Sequence, residues 1–166
     1  MRLALKALTF TFIVPGAVTY WIPRALDLWP DAIATRTGVA IAPALAVVAI
    51  GLAIYTWCLW EFIARGRGIP APVSHPTRLV VSGLYRHVRN PMYLGVLLVL
   101  LGETWLFRST SFLIYTAVWL AFVHVNVLLY EEPNLRRKFG TAYDDYRAHV
   151  RRWLPGKRYG DGFMTG

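Results

Sequence analysis

Four long stretches almost free of charge constrain this chain more than any other feature. Residues 7–23 hold 17 uncharged side chains in a row, residues 37–60 hold 24, and residues 109–130 hold 22. Residues 90–107 hold 18 with Glu103 as their interruption. A helix needs about 20 mostly apolar residues to cross a hydrocarbon layer roughly 30 Å thick. Inside that layer each backbone N–H and C=O must be paired within its own segment, which a helix does. The expectation is an all-α integral membrane protein with about four transmembrane helices, near residues 5–23, 38–61, 91–107 and 109–130. The whole of residues 1–166 reads as one membrane-embedded domain.

Composition agrees. Hydrophobic residues make up 56% of the chain and charged residues 16%, with a mean hydropathy of +0.42. A soluble domain of 166 residues has too little interior to hide that much apolar surface. Cys58 is the only cysteine, which excludes an intrachain disulfide and a thiolate metal centre. The four histidines form no H-x-x-H pattern, so no metal is expected.

The net charge of +9 reads as basic loops beside a membrane, and not as a nucleic-acid surface. With both ends on one side, that side carries 15 basic residues and the other carries 3. The positive-inside rule then puts the N- and C-termini and the long second loop in the cytoplasm. We read the first span as retained and not as a leader. No A-x-A cleavage pattern follows it, and Trp21 and Pro23 suit an interfacial end.

The second loop opens with Gly66-Arg67-Gly68-Ile69-Pro70-Ala71-Pro72, too rich in Gly and Pro for a helix. It reads as extended chain, followed by an apolar touch-down on the membrane at Leu79, Val80 and Val81. After Pro133, the residues Leu135, Phe139, Tyr143, Tyr146 and Val150 recur at helical spacing. They predict a C-terminal amphipathic helix on the inner membrane surface, broken near Gly140.

Two polar clusters fall at the inner ends of apolar helices. One is the run from Gly83 to Gly95, with Tyr85, Arg86, Arg89, Asn90, Pro91 and Tyr93. Pro91 suits a first helical turn, whose unpaired N–H groups can hold an anion. The other is Glu131-Glu132, which needs a cation; Arg86, Arg89 or a cationic ligand would serve. Taken singly, the arginines fit lipid phosphates and the tyrosines fit an interfacial belt. Together they converge on one face. Glu61 is expected to pair with Arg65, Glu103 to sit at the outer interface near Arg108, and His124 to share a helical face with Glu131.

The motif Arg89-Asn90-Pro91-Met92-Tyr93-Leu94-Gly95, then Glu131-Glu132, then Phe139-Gly140-x-x-Tyr143-x-x-Tyr146, resembles the isoprenylcysteine carboxyl methyltransferases. The related phospholipid N-methyltransferases share its Pro-x-Tyr-x-Gly core and paired glutamates. The resemblance covers roughly residues 66 to 155. It implies an integral membrane, multi-pass methyltransferase that uses S-adenosylmethionine, with cofactor-site segments 66–95 and 131–155. By position, the cofactor contacts are Leu79, Val80, Tyr85, Arg89, Asn90, Pro91, Met92, Tyr93, Glu131 and Glu132.

The acceptor is expected to be lipophilic or small and apolar, met at the cytoplasmic face by His124, Asn126 and Val127. His124 is the candidate base, because it is the nearby group that titrates. Three positions depart from the resemblance. Asn90 stands where many relatives carry His, and Ile69 where Thr is common. Val127 stands where the carboxyl methyltransferases carry an Arg, four residues before the first glutamate. Without that cation a carboxylate acceptor has no counter-ion. The other readings are a phospholipid amine N-methyltransferase, an NADPH oxidoreductase of the membrane steroid-reductase type, and a non-catalytic membrane partner. Paired glutamates would repel a multiply anionic nicotinamide cofactor.

Overall fold

The computed structural model describes residues 2–29, 41–66, 79–156 and 159–160, with backbone alone at 2–8, 65 and 66. Among them every regular element is a helix, and the sole bridge joins Val88 to Arg151. Helix α1 covers residues 2–25, α2 residues 41–66, α3 Pro91–Phe107, α4 residues 110–139 and α5 Thr141–His149. A 3-10 turn, Gly83–Arg86, precedes α3. Two segments are long and apolar enough to cross a membrane, Ile41–Ala64 and Thr110–Phe139, and Pro91–Phe107 is a shorter apolar helix. The elements sit close to the expected spans, with α3 at the expected bounds.

Helices α2 and α3 approach until their backbones touch. A Cβ at Gly51 would lie 2.6 Å from the Gly95 carbonyl oxygen, and one at Gly95 would lie 2.8 Å from that of Gly51. Small residues permit this contact, which gains dispersion where apolar burial from water is not available. Helix α1 is tied to α2 by a 3.0 Å hydrogen bond between Thr11 and Tyr55, and α4 to α1 by Tyr115 donating to the Val18 carbonyl at 2.7 Å. The turn between α3 and α4 is short. Arg108 takes a left-handed φ of 49°, and the Ser109 hydroxyl caps α4 by accepting from the Phe112 N–H at 3.2 Å.

Helix α4 corrects one expectation. The apolar span was expected to stop at residue 130, with a separate surface helix after Pro133. The helix instead continues through Pro133 to Phe139 and breaks at Gly140, whose φ is 55°. Continuation is possible because residues Val127–Glu131 form a π turn. A proline inside an α-helix lacks its N–H and collides with the carbonyl four residues back. A π turn widens the backbone just ahead of the ring. Helix α1 repeats the device, with a π turn at Ala17–Trp21 before Pro23.

The C-terminal stripe also lies differently from expectation. Tyr143, Tyr146 and Val150 are buried against Leu79, Val81, Leu135, Phe139 and Tyr159. The amphipathic face therefore covers the chain's own loop and not the membrane surface. Val80 points the other way, to Cys58 and Tyr85. Leu79, Val80 and Val81 thus pack against the protein's own side chains, and are not a touch-down on lipid. The Gly- and Pro-rich opening of that loop lies outside the described residues, apart from the Gly66 backbone.

Candidate functional site

A cavity of about 450 Å³ lies where α1, α2, α3 and α4 meet the 79–90 loop and α5. Its walls are graded. Along α4 they run from Trp119, Phe122 and Val123 through Asn126 and Val127 to Glu131 and Glu132. Along α3, which runs the opposite way, they pass from Val96 to Tyr93 and on to Asn90. Both helices thus turn polar toward the loop. Helix α1 adds Phe10, Val14 and Val18 to the apolar part, and Tyr143 and Tyr146 of α5 flank the polar part.

Most of the residues expected at the site line this cavity: Leu79, Val80, Tyr85, Arg89, Asn90, Met92, Tyr93, Asn126, Val127, Glu131 and Glu132. Pro91 and His124 are not on the wall. Pro91 is buried and starts α3, with Asn90 at its N-cap. Asn90 does not cap through its side chain; its amide donates to the Arg152 carbonyl at 3.2 Å.

The two glutamates do different work although they are neighbours in sequence. Glu131 Oε1 accepts from the Tyr93 hydroxyl and from the Asn126 amide, the latter at 3.0 Å. Asn126 and Glu131 are five residues apart, and the Glu132 N–H bonds the carbonyl of Val127, also five back. The π turn places them on one side of the helix. It also spoils the expected alignment of Glu131 with His124, since seven residues no longer make two turns.

Glu132 is 8% exposed and sits between two guanidinium groups. Arg152 grips it with two bonds, Nε to Oε1 at 2.6 Å and Nη2 to Oε2 at 3.0 Å. Arg89 Nη1 lies 3.1 Å from Oε1 and also donates to the Tyr143 hydroxyl at 3.4 Å. The hydrogen bond to Glu132 raises the pKa of Arg152 further. Arg89 was one of the expected cations; Arg152, in irregular chain past α5, carried no signal that would have found it. Arg89 lines the cavity, and its Nε is buried with no hydrogen-bond partner. Burial drives the phenols of Tyr85 and Tyr146 well above their ordinary range, so both stay neutral donors. Tyr146 donates to the Tyr85 carbonyl at 2.7 Å.

His124 is engaged away from the cavity. Its Nδ1 lies 2.9 Å from the Trp153 indole nitrogen. An indole N–H can only donate, so Nδ1 must be the bare acceptor and the ring proton sits on Nε2. The nitrogen that could have taken a proton is occupied, which removes the expected basis for His124 as the base.

Two other glutamates had expected neighbours, Arg65 for Glu61 and Arg108 for Glu103. Glu61, 5% exposed, accepts from the Ser82 hydroxyl and so holds the start of the 79–90 loop; the Arg65 side chain lies outside the described residues. Glu103 forms no ion pair with Arg108 among the described residues, and its Oε2 is buried without a hydrogen-bond partner. Arg108 is exposed and closes the α3–α4 turn instead.

The family model of the phospholipid methyltransferases matches residues 39–142, well over half of the chain. That segment contains α2, the loop, α3 and α4, and hence most of the cavity wall. An uncharacterized protein of Haemophilus influenzae is 39% identical over 64 residues, which is 38% of this chain and 100% of that protein. No solved structure matches.

Proposed function

The chain belongs to the phospholipid methyltransferase family, and on that premise we propose that it is an integral membrane enzyme that transfers a methyl group from S-adenosylmethionine to a lipophilic acceptor at the cytoplasmic face. The observation that carries this reading is the pairing, on one cavity wall, of the Glu131 carboxylate, fixed by Tyr93 and Asn126, with the Arg89 guanidinium. A zwitterionic amino-acid tail asks for that pair, an acceptor for its ammonium and a donor for its carboxylate. Tyr85 and Tyr93 offer aromatic surface to a cation, worth roughly 0.5–2 kcal/mol each. Leu79 and Val80 offer apolar cover to a flat base.

Bound there, S-adenosylmethionine would supply an activated methyl group on a cationic sulfur. The chain's own part is to orient and to exclude water. Tyr93 and Asn126 fix the Glu131 carboxylate, Arg152 and Arg89 fix Glu132, and the apolar wall from α1 and α4 keeps the reacting region dry. Alignment of this kind can supply roughly 7–11 kcal/mol of a barrier. Family membership favours methyl transfer over the reductase reading.

The acceptor follows from the other half of the cavity. Val14, Phe122 and Tyr130 line it and are 46%, 69% and 54% exposed. The cavity therefore opens sideways between α1 and α4, where an acyl or prenyl chain can enter from the bilayer. Val127, 1% exposed, leaves the wall without a cation near the expected acceptor position. A lipid amine, as in phospholipid N-methylation, fits better there than a carboxylate. The topology we propose has four crossings, α1 to α4, in a single domain, with both termini and the 79–90 loop cytoplasmic.

The deciding experiment supplies methyl-labelled S-adenosylmethionine to the purified protein with membrane lipid extract and identifies the labelled product by mass. Calorimetry in detergent with S-adenosylmethionine and with NADPH accompanies it. Binding of NADPH alone would sink the methyltransferase reading.

A further inference from the structure

Three consecutive residues past α5 reach three separate elements of the cavity wall. The Arg151 carbonyl accepts from the Arg89 N–H at 2.9 Å. The Arg152 carbonyl accepts from the Asn90 amide at 3.2 Å, and its guanidinium grips Glu132 of α4. The Trp153 indole donates to His124 of α4 at 2.9 Å, and its ring stands 6.5 Å from that of Tyr93 on α3. Further along, the Gly156 N–H donates to the His87 carbonyl at 2.9 Å and the Tyr159 N–H to the Arg86 carbonyl at 3.0 Å. None of residues 151–153 lines the cavity itself. They lie beyond the family-matched segment, which ends at 142.

We propose that Arg151-Arg152-Trp153 is a clasp that positions the cavity wall, with His124 as its anchor on α4. The wall residues it meets are spread over three elements: Arg89 and Asn90 on the loop, Tyr93 on α3, Glu132 on α4. The Tyr93–Glu131 and Arg89–Glu132 contacts join these elements across the very space a ligand must enter. The clasp closes the same link from behind, so the wall keeps its shape when those groups turn to a ligand. Trp153 and Arg152 are positioning residues, acting through Tyr93 and Glu132. His124 acts as an acceptor for the indole N–H, which explains a half-buried polar ring on an apolar helix, off the cavity wall.

The assignment of the ligand rests on the reading of the cavity as a site for S-adenosylmethionine; the clasp itself does not. The test therefore has two readouts on the full chain in detergent. One is the affinity for S-adenosylmethionine by calorimetry. The other is amide hydrogen exchange of residues 86–93 and 127–135 without ligand. Trp153→Phe keeps the ring and loses only the N–H; Arg152→Gln loses the grip on Glu132. His124→Leu removes the acceptor, whereas His124→Asn retains an oxygen near the position of Nδ1. Trp153→Phe, Arg152→Gln and His124→Leu should each speed exchange in both segments while α2 stays protected, and weaken binding roughly three- to tenfold. His124→Asn should recover most of both. The Trp153→Phe and His124→Leu effects should not add, because they break the same bond. Unchanged exchange in all three variants overturns the clasp. If the parent chain does not bind S-adenosylmethionine, the cofactor reading falls, and the exchange data still decide the clasp.

Discussion

Asn126 and Glu131 share a 3.0 Å hydrogen bond across five residues of one helix, a spacing that a regular α-helix does not bring together. The π turn between them makes the contact, and Pro133 just beyond makes the π turn useful. Local backbone geometry thus aims a carboxylate into the cavity, where the Tyr93 hydroxyl meets it from α3.

Glu131→Gln and Tyr93→Phe test that carboxylate directly. Each keeps the shape of the wall and removes either the charge or the donor that fixes it. Affinity for S-adenosylmethionine should fall about tenfold or more, the equivalent of roughly 1.5–3 kcal/mol for a hydrogen bond to a charged group. Circular dichroism should show unchanged helix content. Wild-type affinity in both variants would mean that the cofactor lies elsewhere.

Much of this arrangement was legible before the structure. Charge-free runs located α1 to α4 because backbone pairing in a membrane leaves few alternatives to a helix. Pro91 marked the start of α3, and the motif residues on the loop, α3 and α4 do converge on one cavity. Three things were hidden for physical reasons. A 3.6-residue period assumes an unbroken α-helix, so the π turn at Val127–Glu131 misaligned Glu131 with His124. A stripe shows which residues share a face and not what covers it, so Tyr143 and Tyr146 were read as facing lipid. Arg152 and Trp153 lie in irregular chain, where no period exists to mark them.

The Glu132 network should matter more to stability than to chemistry. Glu132→Ala leaves Arg89, whose side chain is 10% exposed, facing Arg152 with no anion between them. Breaking one partner of a buried ion pair costs about 3–5 kcal/mol. The thermal midpoint in detergent should drop by several degrees for this variant, more than for Arg136→Ala. Arg136 pairs with Asp144 on the surface, with its side chain 61% exposed, where such pairs contribute roughly 0–1 kcal/mol. Equal shifts for the two variants would contradict the placement of Glu132.

The proposed topology is open to a labelling test because the chain's one cysteine, Cys58, is buried. Thr110 and Thr141 are both exposed, at the α3–α4 turn and just past Gly140. In intact cells an impermeant thiol reagent should label Thr110→Cys and spare Thr141→Cys. The reverse pattern would invert the orientation, and labelling of both would remove a crossing between them.

The acceptor turns on Val127. It is 1% exposed and lines the cavity beside Asn126, one helical turn before Glu131. A carboxylate brought there would lose its water with no cation to replace it, and the effective penalty for an ion is several kcal/mol even after relaxation. Arg89 and Arg152 do not remedy this: Arg89 is committed to Glu132 and, in the proposed reading, to the cofactor's carboxylate, and Arg152 grips Glu132 off the cavity wall. His124 does not either, because its Nδ1 receives the Trp153 indole. The parent enzyme should therefore methylate a lipid amine and leave a farnesylcysteine carboxylate nearly untouched. Val127→Arg should shift that preference by adding the missing counter-ion, at some cost in stability from the larger side chain. Efficient methylation of the farnesylcysteine analogue by the parent, with no gain from Val127→Arg, would show that another group binds the carboxylate and that Val127 does not set the acceptor class.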